Sequence, residues 1–155
     1  MSETKHPEVD FEIGAQLSFA IHEAMSRLLR LHKPFLQPLG LTFPQLIVMM
    51  ALYRKEPRTV GALCAELGMD NGTLTPILKR LASAGLLTRV RDTEDERRVI
   101  ISLTAEGEAL RAEVGAVPGK VEATCDLTQD EMIALTNGLT KFAQPSSGVA
   151  QTKQD

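Results

Sequence analysis

The sequence lacks most of the features that mark extracellular or membrane-spanning proteins. Its 155 residues include two cysteines, one tyrosine and no tryptophan, and aromatic residues make up only 4% of the chain. Two cysteines, Cys64 and Cys125, do not form the disulfide framework that stabilises small secreted domains. No apolar run approaches the length of a membrane span, and the amino terminus lacks the charged-then-apolar pattern of a signal peptide. We therefore expect a cytoplasmic protein that has no membrane partner.

Charge is distributed unevenly along the chain. Hydrophobic residues make up 43% of it, which is enough for the core of one small domain, and the net charge is −3. Residues 71–91 nevertheless contain four basic residues and no acidic one, whereas residues 104–143 contain seven acidic residues and three basic ones. The four basic residues are Lys79, Arg80, Arg89 and Arg91. A local basic surface within an acidic chain indicates that residues 71–91 contact nucleic acid.

Residues 59–85 predict two short helices that are joined by a tight turn. Thr59 can cap the first helix, which stops at Gly68, and Asp70 can cap the second. Such a pair is typical of a helix-turn-helix motif. An apolar stripe at helical spacing in the second helix consists of Leu74, Ile77, Leu78 and Leu81. The other faces carry residue types that bond base edges and phosphates, namely Asn71, Thr73, Thr75, Lys79 and Arg80.

A charged β-hairpin is predicted directly after these helices. Residues 86–91 and 98–103 have the composition of two strands, and the polar residues 92–96 form the turn between them. Arg89 and Arg91 share one face of the first strand, while the tip of the hairpin carries Asp95 and Arg97. A projecting arginine suits a narrow minor groove. Two helices followed by such a wing predict a winged helix-turn-helix whose partner is double-stranded DNA. Asp70 and Asp95 are counted, with the polar and basic residues of the helix and the hairpin, among the candidate DNA-binding residues.

The rest of the chain is predicted to be helical, so the fold class is mainly α with a small β-hairpin wing. We expect a single winged helix-turn-helix domain over residues 1–144, with its DNA-reading head at about 43–103 and a flexible tail at 145–155. Dimerisation helices are expected at about 11–37 and 104–143, the latter kinked or interrupted at Pro118. They carry more apolar surface than so small a domain can cover, which predicts a two-fold homodimer. Its recognition helices would read half-sites roughly 10 base pairs apart in an imperfect palindrome.

Several segments together resemble the MarR-type transcriptional regulators. The wing carries D-x-R at residues 95–97, followed by a strand and by L-T-x-x-G at residues 103–107. The segments LSFAIHEAMSRLLRLHKPFLQPLGLTFPQLIVMMALYR, GTLTPILKRL and AGLLTRVRDTEDERRVIISLT are similar to the organic-hydroperoxide-sensor (OhrR) branch of that family. The resemblance covers about residues 15–143. It implies a repressor of a stress or efflux-type operon, in which the first, fifth and sixth helices form the dimer.

The chain departs from the OhrR branch at one chemically important position. In that branch a peroxide-sensing cysteine, held by tyrosines, precedes Phe-Ala in the first helix; here Ser18 matches the cysteine. His22, His32 and Phe43 match the tyrosines. A serine hydroxyl does not ionise near neutral pH and is not oxidised as a thiolate is. A natural divergence and an engineered replacement of cysteine both stay open at this stage.

The same four residues are candidates for an effector pocket. Ser18 and His22 lie one helical turn apart, close enough for a hydrogen bond. A small organic anion, a phenolic ligand or an oxidant would each suit the site. Two further classes compete with a ligand-controlled regulator. A redox regulator would use Cys125 or Cys64, although we expect Cys64 to be buried and inert. A nonspecific architectural protein would bind DNA without sequence preference.

An enzyme is not expected. Ser18 and His22 have the spacing of a nucleophile and its base, but no acid partner, Gly-x-Ser-x-Gly elbow or oxyanion donor accompanies them. His22 and His32 lie about 80° apart around a helix, and no pair of cysteines supports them as metal ligands. We therefore expect no catalytic residues, no metal site and no cofactor.

Overall fold

The computed structural model of the protein describes residues 12–144. The chain divides into two compact units between Ala123 and Thr124. The tail expected at residues 145–155 lies outside the described residues. The expectation of a single domain over residues 1–144 stays a prediction.

Six α-helices and a short 3₁₀ turn, Gln37–Leu39, make up most of the described part of the first unit. The helices are α1 Glu12–Leu36, α2 Phe43–Arg54, α3 Val60–Leu67, α4 Asn71–Ser83, α5 Ala105–Ala109 and α6 Arg111–Glu122. At the start of α2, Gln45 Oε1 accepts a 2.8 Å hydrogen bond from the Thr42 N–H, as in a capping box. The predicted mainly α fold class is confirmed.

The core of the first unit is built around α2. A helix that is apolar on all sides is buried, and α2 packs against α1, α3, α4 and α6. The fully buried side chains include Leu46, Met49, Leu52, Leu63, Leu74, Leu78, Leu81, Ile101, Val114 and Val117. Burial of each such side chain stabilises the fold by roughly 1.5–3 kcal/mol. The apolar stripe of α4 belongs to this core, so α4 is held firmly against α2.

A three-stranded antiparallel sheet accompanies these helices, with strand order β1–β3–β2. Its strands are β1 Arg58–Thr59, β2 Leu87–Arg91 and β3 Val99–Leu103. Arg89 lies opposite Ile101 and Arg91 opposite Val99, so β2 and β3 form the hairpin that the sequence predicts. Alternate residues of a strand face opposite sides. Leu87 and Ile101 are buried on the side that faces the core.

The second unit contains α7, Gln129–Ala143. Thr128 Oγ1 accepts a hydrogen bond from the Glu131 N–H, and the Glu131 carboxylate accepts one from the Thr128 N–H. This reciprocal pair is a capping box. Four large apolar side chains of the helix are 45–63% exposed: Ile133, Leu135, Leu139 and Phe142. The helix therefore presents a large apolar surface to solvent.

The helices after the sheet differ from the sequence prediction at Pro118. We predicted a kink or an interruption there; the helix is not interrupted, since α6 continues through Pro118, and the break falls at Leu110, between α5 and α6. A proline inside a helix removes one backbone hydrogen bond, whereas burial of Val114, Val117 and Val121 holds the turns of α6 in place. Leu110 has φ −81° and ψ −5°, away from the helical value of ψ, so the chain turns there.

None of the helices in residues 12–144 is by itself long and apolar enough to cross a membrane. The segments Gly14–Leu39 and Phe43–Arg54, bent by 72° at their junction, meet that test together by length and composition alone. The second of these segments is the buried core helix α2.

Candidate nucleic-acid interface

Side-chain caps define both helices of the predicted helix-turn-helix. Thr59 Oγ1 accepts a 3.1 Å hydrogen bond from the Ala62 N–H at the start of α3. The helix ends at Gly68, whose φ of +61° lies in the left-handed region that glycine adopts without strain. Asp70 Oδ1 then accepts a 2.7 Å hydrogen bond from the Thr73 N–H and caps α4. The three helix boundaries predicted from the sequence are confirmed.

The carboxylate of Asp70 is stabilised in its ionised form. Hydrogen bonds from the backbone N–H and the hydroxyl of Thr73 lower the pKa of Asp70 below its ordinary value of 3.8. A negative charge is also favourable at the positive end of the helix dipole. Because this carboxylate would repel a phosphate, Asp70 acts here by fixing the first turn of α4.

Helix α4 has one face in the core and the others toward solvent. Leu74, Leu78 and Leu81 have no exposed surface, and Ile77 is half-buried. The residues predicted to contact DNA lie elsewhere on the helix: Asn71, Thr73, Lys79 and Arg80 are exposed, and Thr75 is half-buried. The helix thus presents amide, hydroxyl and cationic groups on a surface that the core holds rigid.

Cys64 contacts Asn71, the first residue of α4. The sequence analysis did not predict this contact. The Sγ atom of Cys64 lies 3.3 Å from Oδ1 of Asn71, to which the thiol donates a weak hydrogen bond. The expectation of a buried thiol was wrong, since Cys64 is half-buried. The reason is that Leu63, one residue earlier, fills the core position on α3, which leaves Cys64 at the edge that faces α4.

The loop between β2 and β3 is organised by two aspartates. The Asp92 N–H donates to the Arg98 carbonyl at 2.9 Å, and Asp92 Oδ2 lies 3.5 Å from Arg98 Nη1. Asp95 Oδ1 accepts hydrogen bonds of 3.1 Å from the backbone N–H and from Nε of Arg97. Both bonds lower the pKa of Asp95, and the bond from the Arg97 side chain has the larger effect. Asp95 therefore braces the Arg97 side chain within the loop.

The two arginines of β2 differ in exposure. Both lie on the same face of the strand, as predicted, but Arg91 is exposed and Arg89 is half-buried. Arg89 Nε is buried and makes no hydrogen bond to any residue of the described range. Arg89 lies opposite the buried Ile101, whereas Arg91 is nearer the loop. The periodicity of a strand predicts a shared face, but only packing determines how deep each side chain lies.

The structure separates the four effector-pocket candidates. Ser18 and His22 are both exposed, and Ser18 Oγ donates a 2.9 Å hydrogen bond to the carbonyl of Gly14. The suggested bond between Ser18 and His22 is therefore replaced by one to the helix backbone, which is a common partner of a serine within a helix.

His32 and Phe43, in contrast, are in contact. His32 is buried, its Nδ1–H donates to the Leu28 carbonyl at 2.8 Å, and its ring meets the Phe43 ring edge-on at 4.8 Å between centroids. Phe43 also lines a groove of about 400 Å³ between the end of α1 and the start of α2. The other residues of its wall are Leu29, Lys33, Leu36, Gln37, Leu41, Thr42 and Pro44. The wall is mainly apolar and carries one cation.

Across the part of the chain that the structure describes, no group of three or more His, Cys, Asp or Glu side chains is placed to hold a metal ion.

Comparison with known proteins assigns this arrangement to a family. The family described as "Transcriptional regulator SarA/Rot" matches residues 30–114. The organic hydroperoxide resistance transcriptional regulator of Bacillus subtilis (strain 168) is 36% identical over 124 residues, which cover 80% of this chain and 84% of the relative.

Solved structures agree with this assignment. A mutant of MarR from E. coli complexed with operator DNA is 30% identical, with a TM-score of 0.74, and the match covers 88% of this chain and 99% of that one. Reduced AbfR bound to DNA is 27% identical, with a TM-score of 0.73 over 84% of this chain and 91% of that one; AbfR comes from Staphylococcus epidermidis. The chain therefore belongs to the MarR family of winged helix-turn-helix transcriptional regulators, near its organic-hydroperoxide-sensor branch.

Proposed function

We propose that this regulator is a homodimeric repressor that binds a pseudo-palindromic operator in double-stranded DNA and controls a stress or efflux-type operon. One observation carries the proposal: a helix whose three leucines are buried in the core presents polar and basic side chains beside a wing, and the arginine at the tip of that wing is exposed. A rigid helix enters the major groove, and an exposed wing arginine suits the minor groove next to it.

The residues of α4 divide into two roles under this proposal. Asn71, Thr73 and Thr75 lie in the first turns of the helix, where side chains of a recognition helix reach base edges. Asparagine pairs with adenine through two hydrogen bonds, and threonine contacts bases through its hydroxyl or methyl group. Lys79 and Arg80 supply charge to phosphates, which determines affinity rather than sequence preference. Asp70 supports these contacts as the cap of the helix.

The wing supplies the other contacts. Arg97 is the most exposed of the wing cations with a described ion pair, at 91%, and Asp95 orients it toward the minor groove. Arg91 is exposed and reaches a phosphate more readily than the half-buried Arg89. Arg98 is paired with Asp92, so its part is to hold the loop that carries Arg97.

A second copy of the chain would cover the apolar surfaces of α1 and α7. On α1, the exposed large apolar residues are Leu17, Phe19, Met25 and Leu29. Four more lie on α7. Burial of so much apolar surface favours association, and a two-fold axis would present two recognition helices to half-sites roughly 10 base pairs apart.

Control of binding is assigned to a small-molecule effector or an oxidant. The groove beside Phe43 and His32 has apolar walls and the Lys33 ammonium group, which suit an organic anion or a phenolic ligand. A ligand that fits one spacing of the reading heads better than another would shift the population toward it. Ser18 supplies no thiol, so control by an oxidant would fall to Cys125 or Cys64.

Two further points complete the proposal. The protein acts as a regulator without catalysis, in keeping with the transcriptional regulators that it matches, and the Ser18 hydroxyl donates to the Gly14 carbonyl. Its place of action is the cytoplasm, where it reaches the DNA that it regulates.

Fluorescence anisotropy tests the proposal. The DNA is the segment immediately upstream of the protein's own gene, and a scrambled duplex of the same length is the control. We expect at least about a thousandfold preference for the upstream DNA at physiological salt. Equal affinity for both duplexes, with strong salt dependence, would instead identify a nonspecific architectural protein.

The same titration with an organic hydroperoxide separates the two modes of control. Binding that is unaffected by the oxidant favours a small-molecule effector. Release that a thiol reductant reverses favours sensing by a cysteine, and the variants Cys64→Ser and Cys125→Ser then show which thiol is used.

A further inference from the structure

A group of contacts centred on Tyr53 joins the end of α2 to the region where α5 ends and α6 begins. Tyr53 Oη donates a 2.7 Å hydrogen bond to the Gly107 carbonyl. Arg111 Nη1 donates a 2.7 Å hydrogen bond to the backbone carbonyl of Tyr53, and its guanidinium carbon lies 4.8 Å from the centre of the Tyr53 ring. We refer to Tyr53, Gly107, Glu108 and Arg111 as the Tyr53 clasp.

The guanidinium group of Arg111 is held on more than one side. Glu108 accepts hydrogen bonds from Nε and Nη2 of Arg111, which makes a bidentate ion pair. The third nitrogen, Nη1, is used by the Tyr53 carbonyl. The planar fork of an arginine loses little freedom when it is fixed in this way, so Arg111 acts as a rigid link between α6 and α2.

The phenol of Tyr53 keeps its hydrogen at any ordinary pH. The pKa of Tyr53 is raised to about 12, chiefly because the phenol is partly buried and to a smaller extent because Glu108 is negatively charged. The positive charge of Arg111 opposes this rise. The hydroxyl group is therefore always a donor to the Gly107 carbonyl.

The clasp spans the break in the helix at Leu110. Gly107 lies before the break, Arg111 lies directly after it, and both are bonded to Tyr53. In a continuous helix the backbone hydrogen bonds determine the direction of the axis, whereas at a break that direction depends on side-chain contacts. A further bond of 2.7 Å, from the Leu103 N–H to Glu56 Oε2, ties the end of β3 to the same corner.

A small rotation of α6 about this corner moves the far end of the helix by a distance that is comparable to the spacing of base pairs. Helix α6 has 12 residues, and at 1.5 Å per residue it is about 18 Å long. A rotation of about 10° moves the far end of such a lever by about 3 Å. Successive base pairs are separated by about 3.4 Å, so this displacement is nearly one base pair.

We propose that the Tyr53 clasp fixes the direction of α6 relative to the recognition helix, and thereby the distance between half-sites that the dimer reads. The inference rests on the proposed function as an operator-binding dimer. Tyr53 and Arg111 are positioning residues in it, because they act on DNA only through the placement of α4.

The test compares the wild type with Tyr53→Phe and Arg111→Gln on operator duplexes in which the half-sites are about 9 to 12 base pairs apart, around the expected spacing. An isolated half-site duplex is included. For Tyr53→Phe we expect the preference for the natural separation to fall about three- to tenfold, the equivalent of one hydrogen bond. Affinity for the isolated half-site should stay at the wild-type value. Arg111→Gln leaves the bond between Tyr53 and Gly107 in place but removes the ion pair with Glu108 and the bond to the Tyr53 carbonyl, so it should show the larger effect.

Arg97→Ala is the contrasting variant, because loss of a wing contact lowers affinity for every separation alike. The inference is overturned if Tyr53→Phe keeps the wild-type preference for separation, whatever its melting temperature. It is equally overturned if half-site binding falls together with the preference, because the hydroxyl would then serve only to stabilise the head. If the wild type itself shows no preference for two half-sites over one, the proposed dimeric function fails, and this inference fails with it.

Discussion

The carboxylate of Asp95 holds Arg97 at the tip of the wing through three hydrogen bonds, of which the longest, 3.5 Å, is donated by Arg97 Nη2 to Asp95 Oδ2. Asp95 Oδ1 accepts one from the Arg97 backbone N–H and one from Arg97 Nε, each 3.1 Å long. The Arg97 side chain nevertheless stays 91% exposed. Asp95 thus orients the guanidinium group without covering it, and a side chain oriented before binding loses less entropy when DNA is bound.

Replacement of Arg97 by alanine should weaken operator binding by about 1–3 kcal/mol and reduce the salt dependence by about one released counterion. The dimer should be unchanged, because Arg97 lies far along the chain from the apolar residues of α1 and α7. Anisotropy titrations over a series of salt concentrations measure both quantities, and Arg30→Ala, at an exposed arginine of α1, is the matched control. Unchanged affinity would show that Arg97 does not contact the operator.

Two substitutions in α4 should separate sequence preference from affinity. Asn71→Ala should reduce the discrimination between the operator and a single-base variant by about 1–3 kcal/mol. Lys79→Ala should weaken binding to both duplexes equally and lower the salt slope by about one. Titration of the two variants against matched and mismatched operators checks this. The assignment of roles is wrong if Lys79→Ala changes discrimination while Asn71→Ala does not.

Acid should weaken the cap of α4. The pKa of Asp70 is lower in the folded protein than its ordinary value of 3.8, chiefly because of the bond from the Thr73 N–H. The unfolded chain therefore binds this proton more tightly than the folded one. The contribution to stability is complete at pH values above the unfolded-state pKa and is lost as the pH falls through the folded-state pKa.

Urea unfolding of the wild type and Asp70→Asn at several pH values tests this sign. Asparagine caps a helix about as well as aspartate but does not titrate. We expect the wild type to be the more stable protein at neutral pH and the difference to shrink toward zero in strong acid. If the difference in the free energy of unfolding stays constant with pH, the negative charge of Asp70 does not contribute to stability.

Gly107 should not tolerate a side chain. A Cβ atom built there would lie 1.9 Å from the Leu86 carbonyl oxygen, a backbone atom that has no freedom to move aside. Gly107→Ala should lower the free energy of unfolding by about 1–3 kcal/mol, as overpacking does. Gly115, on α6, has nothing within 4 Å of such an atom, so Gly115→Ala should raise stability by about 0.5–1 kcal/mol. If urea unfolding shows that both variants change the free energy of unfolding equally, then Gly107 does not lie so close to the Leu86 carbonyl oxygen.

Features that depend on neighbouring residues could be read from the sequence. The caps at Thr59 and Asp70, the end of α3 at Gly68 and the hairpin between Leu87 and Leu103 each involve residues a few positions apart, or an alternation of strand faces. Such local preferences act in the same way in almost any tertiary environment. The mainly α class and the winged helix-turn-helix followed from them, together with the motifs that resemble the MarR family.

Contacts between distant positions were determined only by the tertiary structure. Tyr53 and Gly107 are 54 positions apart, and no periodicity relates them. Cys64 is half-buried because Leu63 takes the core position beside it, and α6 continues through Pro118 because its valines are buried. Sequence periodicity assigns a side chain to a face, but the depth and partner of that side chain depend on which other elements pack against the face.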